Sequence, residues 1–368
     1  MKYLLSAILL VGAITGYGQS EAFEAGKKSL ERENYKEAIK QFTQVIFAEP
    51  KNKEAFNQRG IAKNLSGDFY GAIGDFGFAL DLDSTYAEAL NNRGEAKFNL
   101  GDDYGAIEDF DKAIKFKADY ADAYSNRGFA KYNVEDLQGS YFDFSKAIEL
   151  DPKDPDKYFN RAVIKAELEE YISAIDDYNK ALELGEEDAD TYNYRGVAKY
   201  SIGQVEEALE DYNKAIEMDA DDPVKYENRA LAYRDLDNLQ GALEDYNKSI
   251  ALFDQDPDVY NLRGVVKFNL EDNEGAIADY TKAIELDPYN PVYYDNRALA
   301  FATLEQYDKA IKDYSTSIEL FPTDPETFHQ RGLAKINKGD KYDGCLDLNT
   351  AVELGSEDAQ ESIEEFCE

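Results

Sequence analysis

Hydrophobic and polar positions along this chain follow a helical pattern that recurs every 34 residues. Apolar residues such as Ala106, Phe110 and Ala113 are spaced so that they share one face of a helix. Turns such as Gly101-Asp102 separate neighbouring helical segments. An arginine followed by glycine or alanine marks the period, and it stands at Arg59, Arg93, Arg127, Arg161, Arg195, Arg229, Arg263, Arg297 and Arg331. This regular spacing indicates a tandem repeat whose unit contains two helices.

Ten such units fill residues 19–358 when the small residue after the arginine is numbered position 8. The predicted repeats span residues 19–52, 53–86, 87–120, 121–154, 155–188, 189–222, 223–256, 257–290, 291–324 and 325–358. In such an array each unit contacts only its neighbours, so the chain needs no single central core. The last unit would expose its apolar face, and we therefore expect residues 359–368 to form a C-terminal capping helix.

Large and small residues alternate at fixed positions of the unit. Position 8 is glycine or alanine, position 20 is mostly alanine, and position 24 is aromatic from Phe76 to Tyr314. Position 4 is mostly aromatic, with Phe56, Tyr124, Tyr158, Tyr192, Tyr226, Tyr260, Tyr294 and Phe328. This pattern resembles the tetratricopeptide repeat family. The resemblance implies an all-α, right-handed superhelical solenoid of helix–turn–helix repeats, in which the first helix of each repeat lines a concave groove.

The units depart from the family at two positions, because position 7 is arginine where leucine is usual and position 11 is mostly lysine where tyrosine is usual. Two like charges four residues apart repel slightly, so an acid should compensate them. The candidates at position 23 are Asp75, Asp109, Asp143, Asp177, Asp211, Asp245, Asp279, Asp313 and Asp347. Unit 1 lacks both partners, with Ala25 and Gln41, which favours pairing inside each unit. Each pair would contribute about 0–1 kcal/mol if exposed. Alternatively, the arginines could point into the groove and bind carboxylates.

The net charge of −36 limits the class of partner. Nucleic acids and anionic lipids require a cationic surface, so neither is expected to bind. The acidic surface favours a basic partner, or it serves only to keep a long exposed surface soluble.

The first 18 residues lie outside the repeats and are typical of a secretory signal peptide. Lys2 precedes an apolar run from Leu4 to Ile14, and Gly16 and Gly18 precede a plausible cleavage site before Gln19. This run is too short to span a membrane, which takes about 20 residues. We therefore expect an exported protein, periplasmic or extracellular, with no transmembrane segment in the mature chain.

Catalytic and metal-binding chemistry finds little support. The single histidine, His329, stands at a position that faces the groove in the family, and no second histidine could complete a metal site. We expect no enzymatic activity, no cofactor and no metal. Cys345 and Cys367 would lie level in an antiparallel helical hairpin. Packed helices are about 8–10 Å apart, whereas a disulfide needs Cα atoms about 4.4–6.8 Å apart. The sequence therefore does not decide between a disulfide and two free thiols.

Position 6 carries the strongest functional signal, an asparagine in five of the nine Arg-containing units: Asn92, Asn126, Asn160, Asn228 and Asn296. Such a ladder is similar to that of the tetratricopeptide-containing protein O-glycosyltransferases, where it holds peptide main chain. An amide both donates and accepts, so it can pair with any backbone. Position 12 adds aromatic walls with Phe98, Tyr132, Tyr200 and Phe268. Alternatively, these amides bond to the solenoid itself. The leading hypothesis is a non-enzymatic scaffold that binds a protein or an extended peptide in the groove, and the alternative is a structural adaptor within a cell-envelope or secretion assembly.

Overall fold

The computed structural model describes residues 21–185 and 188–367, and within those residues every regular element is an α-helix. The helices are α1 (residues 21–31), α2 (Tyr35–Ala48), α3 (Lys53–Leu65), α4 (Phe69–Leu82), α5 (Ala87–Asn99), α6 (Asp103–Phe116), α7 (Ala121–Asn133), α8 (Leu137–Leu150), α9 (Pro155–Glu167), α10 (Tyr171–Leu184), α11 (Ala189–Ser201), α12 (Val205–Met218), α13 (Pro223–Asp235), α14 (Leu239–Leu252), α15 (Pro257–Asn269), α16 (Asn273–Leu286), α17 (Pro291–Thr303), α18 (Tyr307–Leu320), α19 (Pro325–Lys338), α20 (Lys341–Glu353) and α21 (Glu357–Phe366). The predicted signal peptide, residues 1–18, lies outside the described residues.

Local sequence explains where these helices begin and turn. The Asp102 carboxylate accepts the backbone N–H of Gly105 at 3.0 Å and so caps α6. Between α5 and α6, Gly101 adopts a left-handed φ of 80°, which glycine tolerates without strain. The backbone N–H of Asp102 then donates to the carbonyl of Lys97 at 2.9 Å and closes the turn. The result is a helical hairpin of constant length, repeated along the chain.

The chain divides into two compact bodies, Met1–Glu186 and Glu187–Glu368. The first body holds repeats 1 to 5, and the second holds repeats 6 to 10 followed by α21. Inside each body the second helix of a repeat packs against the first helix of its own repeat and that of the next repeat. The ten predicted units are thus distributed five to each body. At the end of the first group, α10 stops at Gly185, which takes a left-handed φ of 108°.

The core of each body is a series of small clusters rather than one centre. In repeats 3 and 4, the side chains of Ala106, Phe110 and Ala130 are buried together, and Phe98 and Ile107 pack on them. This arrangement buries apolar surface between adjacent repeats and explains why the pattern must recur.

The predicted fit between position 8 and position 24 is confirmed. A Cβ atom placed on Gly94 would lie 2.6 Å from the ring of Phe110, which is closer than carbon atoms can approach. Glycine therefore lets the two helices of the repeat come together over an aromatic ring.

The predicted ion pairs within each unit are also confirmed. In repeat 3, Nε and Nη2 of Arg93 donate to the two oxygens of Asp109 at 2.7 and 2.6 Å, and Nζ of Lys97 lies 2.7 Å from the same carboxylate. The same pairing joins Arg59–Asp75, Arg127–Asp143, Arg161–Asp177, Arg195–Asp211, Arg229–Asp245, Arg263–Asp279, Arg297–Asp313 and Arg331–Asp347. The carboxylate thus neutralises the repulsion between arginine and lysine.

The energetic expectation for an exposed pair does not apply, because the carboxylates are buried. The side chain of Asp109 is 0% exposed. Arg127 also reaches the preceding repeat, where its Nη1 donates to Asp111 at 2.6 Å. Removing one partner of a buried pair strands the other charge, which costs about 3–5 kcal/mol.

The C-terminal end of the second body is covered by α21. Ile363 and Cys367 pack on the buried cluster of Leu348, Ala351 and Ala359. Cys345 and Cys367 form a disulfide, with their Cα atoms 5.9 Å apart.

Candidate functional site

The candidate site lies on the first helices of the repeats, where positions 6, 9 and 12 share one face. In the first body this first-helix face includes Asn126 and Asn160, together with Phe129 and Tyr132, which are 38% and 37% exposed. In the second body Asn228 and Asn296 occupy the equivalent position 6. Polar amides and partly exposed apolar groups therefore alternate along each stack of repeats.

Four of the five asparagines at position 6 bond to the preceding repeat. The Nδ2 group of Asn126 donates to Oδ1 of Asn91, at position 5 of the preceding repeat, at 3.1 Å. The same bond, at 2.8 to 3.0 Å, joins Asn92 to Asn57, Asn228 to Asn193 and Asn296 to Asn261. These amides thus hold adjacent first helices in register, which is the structural role that sequence reasoning left open.

Asn160 differs from the other four because position 5 of the preceding repeat is Ser125. The Oγ atom of Ser125 is buried and has no hydrogen-bond partner. Asn160 therefore makes no such bond to the preceding repeat.

The four asparagines that bond to the preceding repeat keep further hydrogen-bonding groups. An asparagine side chain has two N–H donors and an oxygen that accepts. Each bonded amide uses one N–H for the neighbouring repeat, so its oxygen and second N–H remain for a bound main chain. Register and ligand binding are consequently compatible roles for the same residue.

The predicted aromatic residues at position 12 divide into two groups. Phe98, Tyr200 and Phe268 pack on the buried cluster formed with the next repeat. The hydroxyl of Tyr200 also donates to Asp235 of the next repeat at 2.5 Å. The side chain of Tyr132 is more exposed than these three, at 37%. The aromatic side chains at position 12 therefore pack between adjacent repeats, and the outer edges of their rings border the first-helix face.

Two acids at position 5 were not singled out from the sequence. In repeat 7 the hydroxyl of Ser249 donates to Oε1 of Glu227 at 2.6 Å. In repeat 9 the equivalent acid is Asp295, and Ser317 occupies the position equivalent to Ser249. The signal was present in the sequence, because position 27 is serine only in these two repeats and alanine or valine elsewhere.

Burial changes the acidity of both groups. Burial raises the pKa of Glu227, while the hydrogen bond from Ser249 opposes the rise. Burial raises the pKa of Asp295 to about 6, and the nearby negative charges of Asp324 and Glu326 add to the rise. The hydroxyl groups of Ser317 and Thr327 lower the pKa of Asp295 and so act in the opposite direction.

Asp295 lies in a pocket of about 190 Å³ in the second body. The pocket is lined by Asp295, Asn296, Leu299, Tyr314, Asp324, Glu326, Thr327 and Gln330. Asn296, one of the predicted site residues, thus forms part of a concave site rather than of a flat surface.

His329 does not lie open on the first-helix face. It is 7% exposed, and its Nε2 atom lies 2.9 Å from the Ser362 hydroxyl of α21. The capping helix covers it, which the family position alone could not reveal. Among residues 21–185 and 188–367, no group of three or more His, Cys, Asp or Glu side chains is arranged to hold a metal ion.

No helix in the described part of the chain is both long and apolar enough to cross a membrane. This finding concerns the repeats and α21, and residues 1–18 are not included in it.

The fold and the repeated hairpin define the class of an α-solenoid built from helix–turn–helix repeats. Within that class, models of the TPR repeat match residues 95–134 and 196–237, and models of the tetratricopeptide repeat match residues 158–188, 257–290 and 292–324. The chain belongs to the tetratricopeptide repeat family. No curated protein matches it in sequence.

Several solved structures are similar to this chain. A tetratricopeptide repeat protein from Parabacteroides merdae is 19% identical, with a TM-score of 0.51 over 68% of this chain and 98% of that one. YrrB, described as a TPR protein with an unusual peptide-binding site, is 25% identical, with a TM-score of 0.44 over 50% of this chain and 94% of that one. Yeast Tom70 is 15% identical, with a TM-score of 0.40 over 94% and 93% of the two chains.

Proposed function

We propose that this protein is a non-enzymatic scaffold that binds an extended segment of another protein along the first-helix face. The observation that supports this most is the set of asparagines at position 6, which keep an oxygen and an N–H after bonding to the preceding repeat. A bound main chain presents a donor and an acceptor at each residue, and these match a row of amides.

The apolar neighbours of the amides supply the rest of the affinity. Phe129 and Tyr132 in the first body and Leu299 in the second are each more than a third exposed on first helices. Burying them under alternate side chains of an extended peptide would contribute about 25 cal/mol per Å² of apolar surface. Backbone pairing then sets the register of the peptide, and the apolar contacts select its sequence.

The test uses Asn160→Ala as the probe and Asn126→Ala as its matched comparison. Peptides selected on the wild-type protein from a random library are measured against both variants by calorimetry. We expect at least about a tenfold loss of affinity in Asn160→Ala with an unchanged melting temperature, because this amide makes no bond to Ser125. Asn126→Ala should lose affinity and also about 1 kcal/mol of stability, because Asn91 loses its partner. A wild-type protein that enriches no peptide, or full affinity in Asn160→Ala, would refute the proposal.

We propose further that the protein is exported and acts in the periplasm or outside the cell. The signal-like pattern of residues 1–18 and the Cys345–Cys367 disulfide both support an oxidising compartment. The test is N-terminal sequencing of the protein purified from its native cells. A mature chain that begins at Gln19 agrees with export, and an intact Met1 in the cytoplasmic fraction contradicts it.

A second candidate function is that of a structural adaptor, and one feature of the first body favours it. Its second helices carry an exposed aromatic surface, made of Phe47, Tyr70, Phe78, Tyr104 and Phe142. Tyr70 is 80% exposed, and the same helix has Gly74 and Gly77 with open space around them. Changing Tyr70 and Tyr104 to serine should then abolish assembly in native envelope extracts while leaving peptide affinity intact, whereas a groove-only scaffold would show no loss of assembly.

A further inference from the structure

The pocket around Asp295 contains two buried polar atoms without hydrogen-bond partners. Asp295 projects from α17, and its Oδ1 atom is buried and unpaired. Tyr314 projects from α18, is 2% exposed, and its hydroxyl is also buried and unpaired. Both residues line the same cavity of about 190 Å³. A buried polar group without a partner costs about 1–3 kcal/mol, so two such groups on residues that line one cavity indicate a place for a ligand that donates hydrogen bonds.

The charges around the cavity determine what kind of donor fits. Asp324 and Glu326 join Asp295 in the wall, and none of the lining residues is Lys, Arg or His. Asp324 is engaged in capping α19, where its Oδ2 accepts the hydroxyl of Thr327 at 2.6 Å. Glu326 accepts from Nε2 of Gln330 at 2.6 Å. Among these three carboxylates, only Asp295 has a buried oxygen, Oδ1, without a hydrogen-bond partner.

Comparison within the chain shows how unusual this carboxyl is. Each of the nine aspartates at position 23 meets an arginine of its own repeat. At position 5 of repeat 8, Asn261 accepts a hydrogen bond from Asn296, and at position 5 of repeat 7, Glu227 accepts one from Ser249. Asp295 combines an acidic side chain with a buried oxygen, Oδ1, that has no hydrogen-bond partner.

We propose that this pocket binds the primary ammonium group of a lysine side chain from the peptide that lies on the first-helix face. An ammonium group is a compact charge with three donors, and the pocket offers Asp295 Oδ1, the Tyr314 oxygen and the oxygen of Asn296 as acceptors. A guanidinium group is planar and presents five donors in a fixed fork, which suits an open bidentate carboxylate better than this buried oxygen. This inference rests on the proposed function and adds the type of peptide side chain that would bind at repeat 9.

The acidity of Asp295 agrees with this assignment. In the empty pocket burial raises its pKa to about 6, and Asp324 and Glu326 add to the rise. A bound ammonium group would favour the ionised carboxylate and lower that pKa. Binding should therefore release protons near pH 6, whereas capture of a neutral group would not.

The first experiment tests the pocket without any peptide. Full-length protein with isotope-labelled methyl groups is titrated with n-butylammonium, which has the shape of a lysine side chain, and the methyl signals of Leu299 and Thr327 are followed by NMR. We expect saturable shifts with a dissociation constant on the order of millimolar, as is usual for so few atoms. Asp295→Asn should weaken binding at least about tenfold, and Tyr314→Phe, a second variant that keeps the ring, should weaken it more modestly.

Two controls make the result decisive. Glu227→Gln removes the equivalent acid of repeat 7, whose oxygen already accepts from Ser249, and it should leave butylammonium binding at Leu299 unchanged. n-Butanol carries the same chain without charge and should give no saturable shift. Asp295→Asn is expected to fold, because asparagine occupies this position in repeat 8. Equal binding of butylammonium by the wild-type protein and Asp295→Asn, or no saturable shift, would overturn the proposal.

The second experiment separates the pocket from the peptide face. Each lysine of a selected peptide is replaced in turn by norleucine, which keeps the chain and removes the charge. One replacement should lower affinity for the wild-type protein at least about tenfold and have no effect on the Asp295→Asn variant. Peptides that bind with equal affinity in both forms would overturn the pocket while leaving the scaffold intact. Butylammonium binding without any peptide binding would support the pocket and refute the scaffold.

Discussion

At the scale of single residues, the aspartate of position 23 holds each repeat together. Asp109 is fully buried and accepts from Arg93 and Lys97 of its own repeat. Although burial alone would raise the pKa of Asp109, hydrogen bonds from these two cations lower it below its ordinary value. The sequence showed the three charges, and only burial reveals how strongly the repeat depends on them.

Asp109→Asn should destabilise the first body by about 3–5 kcal/mol, because it leaves two cations beside a neutral, buried amide. Urea denaturation followed by circular dichroism measures this loss. Glu108→Gln removes an exposed carboxylate one residue away and is the matched control, with an expected change within about 0.5 kcal/mol. Since the folded-state pKa of Asp109 is lowered, its contribution is present above the unfolded pKa and is lost as pH falls through the folded pKa. Equal stability of the two variants at pH 7 would contradict this role.

Asp295 provides the opposite case, because its pKa is raised to about 6, mainly by burial. The folded chain then holds this proton more tightly than the unfolded chain. Asp295 therefore destabilises the fold above about pH 6, and this cost disappears as pH falls toward the ordinary value of 3.8. Asp295→Asn should accordingly be more stable than the wild-type protein at pH 7.5, with the difference shrinking by pH 4.5. Glu319→Gln, at an exposed site on α18, should show no such trend.

At the scale of elements, the distance between the two helices of a repeat is set by position 8. Gly94 faces the ring of Phe110 so closely that a methyl group has no room. Glycine in a helix normally costs up to about 1 kcal/mol relative to alanine, so its presence here reflects the close approach of the helices. Gly74, in contrast, lies in α4 with open space around it.

This contrast predicts opposite effects of the same substitution. Gly94→Ala should destabilise the first body by about 1–3 kcal/mol, because the Phe110 ring must move. Gly74→Ala should stabilise it by about 0.5–1 kcal/mol, because alanine restricts the unfolded chain and meets no neighbour. Thermal denaturation of the two variants checks both signs. Stabilisation by Gly94→Ala would show that position 8 does not control the helix separation.

At the scale of the whole molecule, a solenoid is weakest at its ends, since a terminal repeat has a neighbour on one side only. α21 covers the last repeat of the second body, and the Cys345–Cys367 disulfide ties it to α20. The bond closes a loop between cysteines 22 residues apart.

Reduction of this disulfide should loosen the end of the second body. By the chain-entropy estimate, the bond contributes about 3 kcal/mol. Hydrogen exchange in Cys345→Ser with Cys367→Ser should therefore show faster exchange in α20 and α21, with the first body unchanged. The wild-type protein under a reducing agent should reproduce the pattern. Unaltered exchange in α21 would mean that apolar packing of Ile363 alone holds the cap.

The amino-acid sequence by itself determined the repeat, its two helices, the small-to-aromatic packing and the Arg–Asp pairing inside each unit. These features follow from local spacing, because a period of 34 residues places equivalent side chains in equivalent environments. The tertiary structure decided what depends on the neighbouring repeat. It showed that Asn126 bonds to Asn91 while Asn160 has no such partner, and that α21 covers His329. It also showed that Oδ1 of Asp295 is buried without a hydrogen-bond partner, because burial and partners are set by residues far apart in the chain.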